Sequence, residues 1–200
     1  MLPAWTGLWG YVNWQNVEYM VTPWGVDEHI FRRIPVDDRD ITLLATGYVA
    51  STEALEEAYE AIRRVGGQML HIGGSIGLDG KPHYRREENI PDMLMVEYMN
   101  RSKYVSAMRH DIGFEVVGLE GAFCGAIPIY LDYPCYRYWL KDIGVFVRPK
   151  PMEALIEDLV GVLSGEPRSP DPSNPSKLER FKWSRIAPKI WERIVGAVRA

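Results

Sequence analysis

The chain has 200 residues, 46% hydrophobic and 25% charged, the balance of one soluble globular domain able to bury a core. A net charge of -4 argues against a general nucleic-acid binder, which carries a basic surface. Two cysteines, Cys124 and Cys135, are too few for a disulfide framework, and no CxxC spacing points to zinc.

The start, Met1-Leu2-Pro3-Ala4-Trp5, has no basic stretch followed by an apolar one, and no run reaches the ~18 apolar residues of a membrane span. A cytoplasmic location is the expectation. Charge is uneven: seven basic and two acidic residues make Lys177 to Ala200 +5, leaving -9 on the rest. A basic tail on an acidic body predicts a contact made by the tail. Several of the seven Trp and eleven Tyr fall in the first forty residues, suited to clamping an arm onto the body.

In chain order, Ile41 to Thr46 is a continuous apolar run ended by Gly47, a buried-strand pattern. Ser51-Thr52-Glu53 offers hydroxyls to cap a helix, in which Ala54, Leu55, Ala58, Ala61, Ile62 and Val65 recur at helical spacing before Gly66-Gly67. Gln68 to Ile72 is a second strand closed by Gly73-Gly74, and Ser75 to about Asn89 is predicted to be a polar loop. Pro91 suits a first helical turn, so Met93 to Lys103 reads as helix and Tyr104 to Met108 as strand. Val116 to Cys124 is helical, Ala126 to Leu131 a strand, Pro134 to Leu140 a short helix and Gly144 to Val147 a short strand. Met152 to Leu163 is an amphipathic helix, followed by a Pro-rich extended linker and a last helix from Ser184, with Pro188 in its first turn.

Short strands alternating with helices predict a Rossmann-like parallel sheet with helices on both faces. Ligands in such sheets bind beyond the carboxyl ends of the strands. That rule gathers Gly47-Tyr48, Gly73 to Gly77, Arg109 to Phe114 and Asp132 to Pro134 around one crevice.

Four chemical motifs fail on presence, spacing or context. No GxGxxG follows a strand; Gly74 to Lys81 has the wrong spacing for a phosphate loop, with Pro82 where Ser or Thr binds magnesium. Asp38-Arg39-Asp40 is a DxD triplet, but it precedes its strand, so a chance occurrence is the better reading and no metal is assigned. Gly73-Gly74-Ser75-Ile76-Gly77 matches GxSxG, yet no helix follows the serine and no histidine follows Asp132.

Three separated stretches carry a family resemblance. Thr22-Pro23-Trp24-Gly25-Val26-Asp27 to Phe31 resembles the "PNGVD…F" segment of group 1 (family 4) retaining glycosyltransferases. Ile112 to Ile129 resembles their "EGFGLxxLEAMAxGxPVV", and Phe181-Lys182-Trp183-Ser184 their "fsW". The resemblance implies the nucleotide-sugar-binding C-terminal domain of a two-domain GT-B enzyme. It divides the chain into an arm and interdomain-type linker (1–40), a donor-binding α/β domain (41–166), a Pro-rich linker (167–176) and a C-terminal amphipathic helix (177–200).

In the central motif, Gly113 allows close backbone approach, and the free N–H groups where the helix opens at Val116 favour a diphosphate. The resemblance gives Glu120 the ribose hydroxyls; the alternative is that Glu120 pairs with a neighbouring cation. Gly47, Tyr48, Arg109, Gly113, Phe114, Glu115, Val116 and Glu120 are therefore the candidate substrate-binding residues, with no catalytic residue assigned. Departures from the pattern are chemical: Ile112 stands for the first glutamate, Glu115 for a glycine, and Tyr48 for the arginine after Gly47. Arg109, His110, Lys81, Arg85 and Arg86 are the cations left to face a diphosphate.

The implied function is retaining, metal-independent glycosyl transfer from a nucleotide-diphosphate sugar, with no cofactor. The acceptor domain is supplied elsewhere, by another subunit, by another copy of the chain or by the rest of a longer enzyme of which this is half, and the last helix can touch a membrane surface. The alternative is an inactive sugar-nucleotide-binding or interaction module.

Overall fold

In the computed structural model the described residues are 23–110, 115–165 and 175–199, the side chains of 175 and 197–199 excepted. Six strands form one parallel sheet: β1 (Ile41–Gly47), β2 (Met69–Gly73), β3 (Tyr84–Glu87), β4 (Ser102–Ala107), β5 (Ile127–Leu131) and β6 (Val145–Val147). Their order is β3-β2-β1-β4-β5-β6. The chain winds outward from β1 to β3, returns to β4 beside β1, then winds the other way. The reversal leaves a crevice beyond the ends of β1 and β4.

Helices α1 (Leu55–Val65), α2 (Asp92–Arg101), α3 (Val116–Phe123), α4 (Pro134–Leu140) and α5 (Met152–Ser164) connect the strands, and α6 (Pro175–Leu178) and α7 (Trp183–Arg199) follow. Successive strand residues point to opposite faces, so both faces must be apolar in a covered sheet. Leu43, Met69, Tyr104 and Ile129 lie in one core with α1 and α5. Leu44, Leu70 and Val105 lie in another with Val96 and Met99 of α2. Leu43 and Leu44 are both fully buried, each worth about 1.5–3 kcal/mol of transfer free energy.

Helix α1 turns Leu55, Ala58, Ala61 and Ile62 inward, with Glu56 and Glu57 in its first turn and Arg63 and Arg64 in its last, as the helix dipole favours. Gly66, at φ 69°, ends it in the left-handed conformation. The expected Ser51 or Thr52 cap is not formed: the N-cap is Ala54, without a side-chain hydrogen bond. The N–H groups of Thr52 and Glu53 already donate to the Val49 carbonyl, so no hydroxyl is needed there.

Two expectations are corrected. The loop from Ser75 to Asn89 contains β3, an edge strand paired with β2 from Met69↔Tyr84 to Ile72↔Glu87. Tyr-Arg-Arg-Glu has no apolar alternation because an edge strand is half solvated and is protected by charge. Pro188 lies beyond the first turn, since α7 begins at Trp183, and it removes the bond an N–H there would give the Ser184 carbonyl. Both residues are exposed, so water replaces that bond.

The segment ahead of β1 is strapped onto this body. The Ile34 N–H donates to Asn100 Oδ1 (2.9 Å), and Asn100 Nδ2 donates to the carbonyls of Arg32 (3.0 Å) and Val96 (2.9 Å). Val26 donates to the Phe181 carbonyl (2.8 Å) and accepts from the Trp183 N–H (2.9 Å), joining the strap to the start of α7. No helix among the described residues is long and apolar enough to cross a membrane.

Candidate functional site

The floor of the crevice is built by close packing of strand ends. A Cβ on Gly73 would stand 1.7 Å from the Gly47 carbonyl oxygen, so only glycine lets β2 end there. His71, fully buried, bridges the same ends: Nε2 lies 2.9 Å from the Gly47 carbonyl and Nδ1 2.7 Å from Tyr84 Oη. A carbonyl only accepts, so Nε2 carries the proton and Nδ1 accepts from the tyrosine. Burial lowers the His71 pKa and keeps the ring neutral.

Beyond Gly47 the chain turns back over the crevice. Glu53 accepts from the Val49 N–H (2.8 Å), and a Cβ on Gly47 would stand 2.0 Å from its Oε2. Tyr48 is 65% exposed, its ring beside Gly74. Arg109 follows β4, with Nη1 3.7 Å from Glu53 Oε1 and Nε 3.2 Å from Glu115 Oε1. The carboxylates of Glu53 and Glu115 are 13% and 14% exposed and the guanidinium 35%, so the triad lines the mouth rather than the outer surface. A small cavity of about 20 Å³ lies among Thr46, Glu53, Ser106, Arg109 and Glu115.

The candidate residues thus separate into two groups. Gly47, Tyr48, Arg109 and Glu115 stand over β1 and β4, with Val116 opening α3. Glu120, in the second turn of α3, faces the start of α2. It has neither hydrogen bond nor ion pair among the described residues. Burial, reinforced by the Asp92 carboxylate, pushes its pKa up to about 7. Gly113 and Phe114, with Ile112, lie outside the described residues.

The other cations sort by position. Arg86 reaches the carboxyl end of β2, donating to the Gly73 carbonyl (3.2 Å) and Asp79 Oδ1 (2.9 Å). Arg85 pairs with Glu87 on β3, and Lys81 stands over the Tyr59 ring. His110 Nδ1 is 3.4 Å from Tyr133 Oη.

Two rejected motifs have structural roles. Ser75 Oγ donates to Asp79 Oδ2 (2.5 Å) within a turn, and no helix follows it. In the DxD triplet, Asp40 pairs with Arg101 (2.6 Å), and Arg39 donates to the carbonyls of Ser102 (2.9 Å) and Gly125 (2.6 Å). These bonds sit at the amino end of β1, opposite the crevice.

The sequence reading missed Glu53 and Tyr130. Glu53 read as part of a helix start, and nothing local shows that it folds over Gly47. Tyr130 of β5 is fully buried, and its hydroxyl has no hydrogen-bond partner among the described residues. It lies under α3, where a Cβ on Gly118 would stand 2.5 Å from Oη. An apolar strand pattern gives no sign of that orphaned hydroxyl.

No family model and no curated protein matches the chain. Solved structures do. A glycosyltransferase involved in avilamycin A biosynthesis is 16% identical at a TM-score of 0.68, with 86% of this chain and 56% of that one covered. Sucrose-phosphate synthase from Thermosynechococcus elongatus is 16% identical at a TM-score of 0.69, with 95% of this chain and 56% of that one covered. The C-terminal domain of a group 1 family glycosyl transferase from Francisella tularensis is 17% identical at a TM-score of 0.55, with 81% of this chain and 94% of that domain covered. The chain therefore has the Rossmann-like fold of a GT-B glycosyltransferase C-terminal domain, and it spans about half the length of the first two.

Proposed function

We propose that this chain is the donor domain of a glycosyltransferase, binding a nucleotide-diphosphate sugar at the ends of β1 and β4. The observation that carries the reading is Glu120, a half-buried carboxylate beside the crevice with neither hydrogen bond nor ion pair among the described residues. Burying an anion without donors is costly, and a vicinal diol supplies two O–H donors at once. The ribose of a nucleotide is such a diol.

In this reading the diphosphate lies toward the free N–H groups at the start of α3, a helix with no acidic residue in its first turn. Arg109 turns from Glu53 and Glu115 to the phosphates and stabilises the charge that grows on the leaving diphosphate. Transfer is retaining, and no metal or cofactor is assigned to it. The acceptor is held by a second domain.

The test is calorimetry with UDP, GDP, ADP and dTDP on the parent and on Glu120→Gln. The proposal expects one nucleotide to bind the parent and to bind the variant roughly tenfold to hundredfold more weakly, the cost of losing a charged acceptor. Equal affinities would sink the ribose assignment.

One observation favours a second reading, an inactive sugar-nucleotide-binding module: Arg109 is already held by two carboxylates of its own chain. Nucleotide binding without release of nucleoside diphosphate from any nucleotide sugar, even with an acceptor-domain partner present, selects that reading.

A further inference from the structure

Helix α7 is amphipathic, and among the described residues much of its apolar side is exposed. Its first turns pack on the short 3-10 turn Glu179–Phe181, where Ile186 is 3% exposed. Beyond that contact Trp191 is 67% and Ile194 50% exposed, and Trp183 at the start is 44% exposed. At 100° per residue Ile190, Trp183, Ile194, Ala187 and Trp191 follow one another around one side, with Arg185, Lys189 and Arg193 on the other. Of the 17 residues of α7 only Glu192 is acidic.

We propose that this apolar side docks on an anionic phospholipid surface, with α7 lying in the plane of the headgroups. Exposed tryptophan and isoleucine on one side and a row of Lys and Arg on the other are the pattern of a helix that rests in a membrane interface. Tryptophan suits that depth because its ring is apolar and its N–H still reaches water or a headgroup. The basic row stands within a Debye length of the lipid phosphates, and its long side chains bend down toward them.

Charge selects this occupant over a second copy of the chain. Lys177 to Ala200 is +5 and the rest of the chain -9, so an anionic surface attracts the helix, repels the body and admits one orientation. Two copies paired through the same face would set one basic row beside another. The packing leaves room for a bilayer. Ile186, which holds α7 to the body, lies about 80° around the helix from Ile194 and about 140° from Trp191, so body and bilayer can grip different sides at once.

The experiment is flotation of the full chain with phosphatidylcholine vesicles, with and without phosphatidylserine. The expected result is about tenfold stronger binding, or more, when phosphatidylserine is present, and release at high salt. One chain carrying Trp191→Ser and Ile194→Ser is expected to bind about tenfold more weakly. Its urea midpoint is expected to match the parent, since both side chains are half exposed or more. Lys189→Gln is expected to weaken binding about fivefold and Lys189→Arg to preserve it. A chain that does not float with phosphatidylserine vesicles overturns the proposal. So does equal flotation with and without phosphatidylserine, or equal flotation of parent and double variant, which puts the contact on another surface. Self-association without vesicles that the double variant abolishes assigns the face to a second copy and overturns it too. None of these outcomes depends on nucleotide binding.

Discussion

Arg109 Nε stands 3.2 Å from Glu115 Oε1 at the mouth of the crevice, so a cation facing the proposed diphosphate position is engaged by an anion of its own chain. A phosphate must displace that carboxylate before it can take the guanidinium. Glu115→Gln removes the charge and keeps the shape. It is expected to tighten nucleoside-diphosphate binding about tenfold, or ~1.4 kcal/mol, by calorimetry. Weaker binding would mean that Glu115 itself contacts the ligand.

Glu120 gives stability a pH dependence of defined sign. Burial raises its carboxyl from 4.5 to about 7, so between those values the folded chain holds a proton that the unfolded chain has released. Stability therefore falls as pH rises through this window, by about 3 kcal/mol in all. Urea denaturation at pH 5 and pH 8 measures the loss, and Glu120→Gln is expected to flatten it. Diol donors favour the ionised form, so in the parent the affinity for nucleoside diphosphate is expected to rise from pH 6 to pH 8 more than in the variant.

Tyr130 carries a fully buried hydroxyl with no partner among the described residues, and leaving such a group unsatisfied costs about 1–3 kcal/mol. Tyr130→Phe keeps the ring stacked on Phe146 (centroids 5.6 Å apart) and removes the orphan. The variant is expected to be about 1 kcal/mol more stable by chemical denaturation. A loss of stability would reveal a hydrogen bond to that hydroxyl in solution.

Gly73→Ala tests the packing of the crevice floor. The added methyl would stand 1.7 Å from a backbone oxygen of β1, at a φ of 158°, so neither side-chain rotation nor local relaxation removes the clash. A loss of about 3 kcal/mol or more is expected from thermal or urea unfolding. Gly77→Ala, with open space around the site but a φ of 79°, is the milder control at about 1 kcal/mol.

The sequence by itself determined the sheet of buried strands and the helices between them. A fully buried parallel strand is a continuous apolar run, as in Ile41 to Thr46, and an amphipathic helix repeats its core residues locally, as α1 and α5 do. The strand limits likewise placed Gly47, Tyr48 and Arg109 at one end of the sheet, because strand ends follow from them. Tertiary structure decided what those groups do. The Glu53–Arg109 contact and the placing of Glu120 beside Asp92 join residues far apart in the chain and depend on distances of a few ångströms, as does the lack of a partner for the Tyr130 hydroxyl among the described residues. Edge strand β3 escaped for the opposite reason: its pairing with β2 is supplied by backbone hydrogen bonds, which leave no side-chain pattern to read. Periodicity records which side of an element is buried, whereas charge pairing and satisfaction of polar groups depend on where the other elements come to rest.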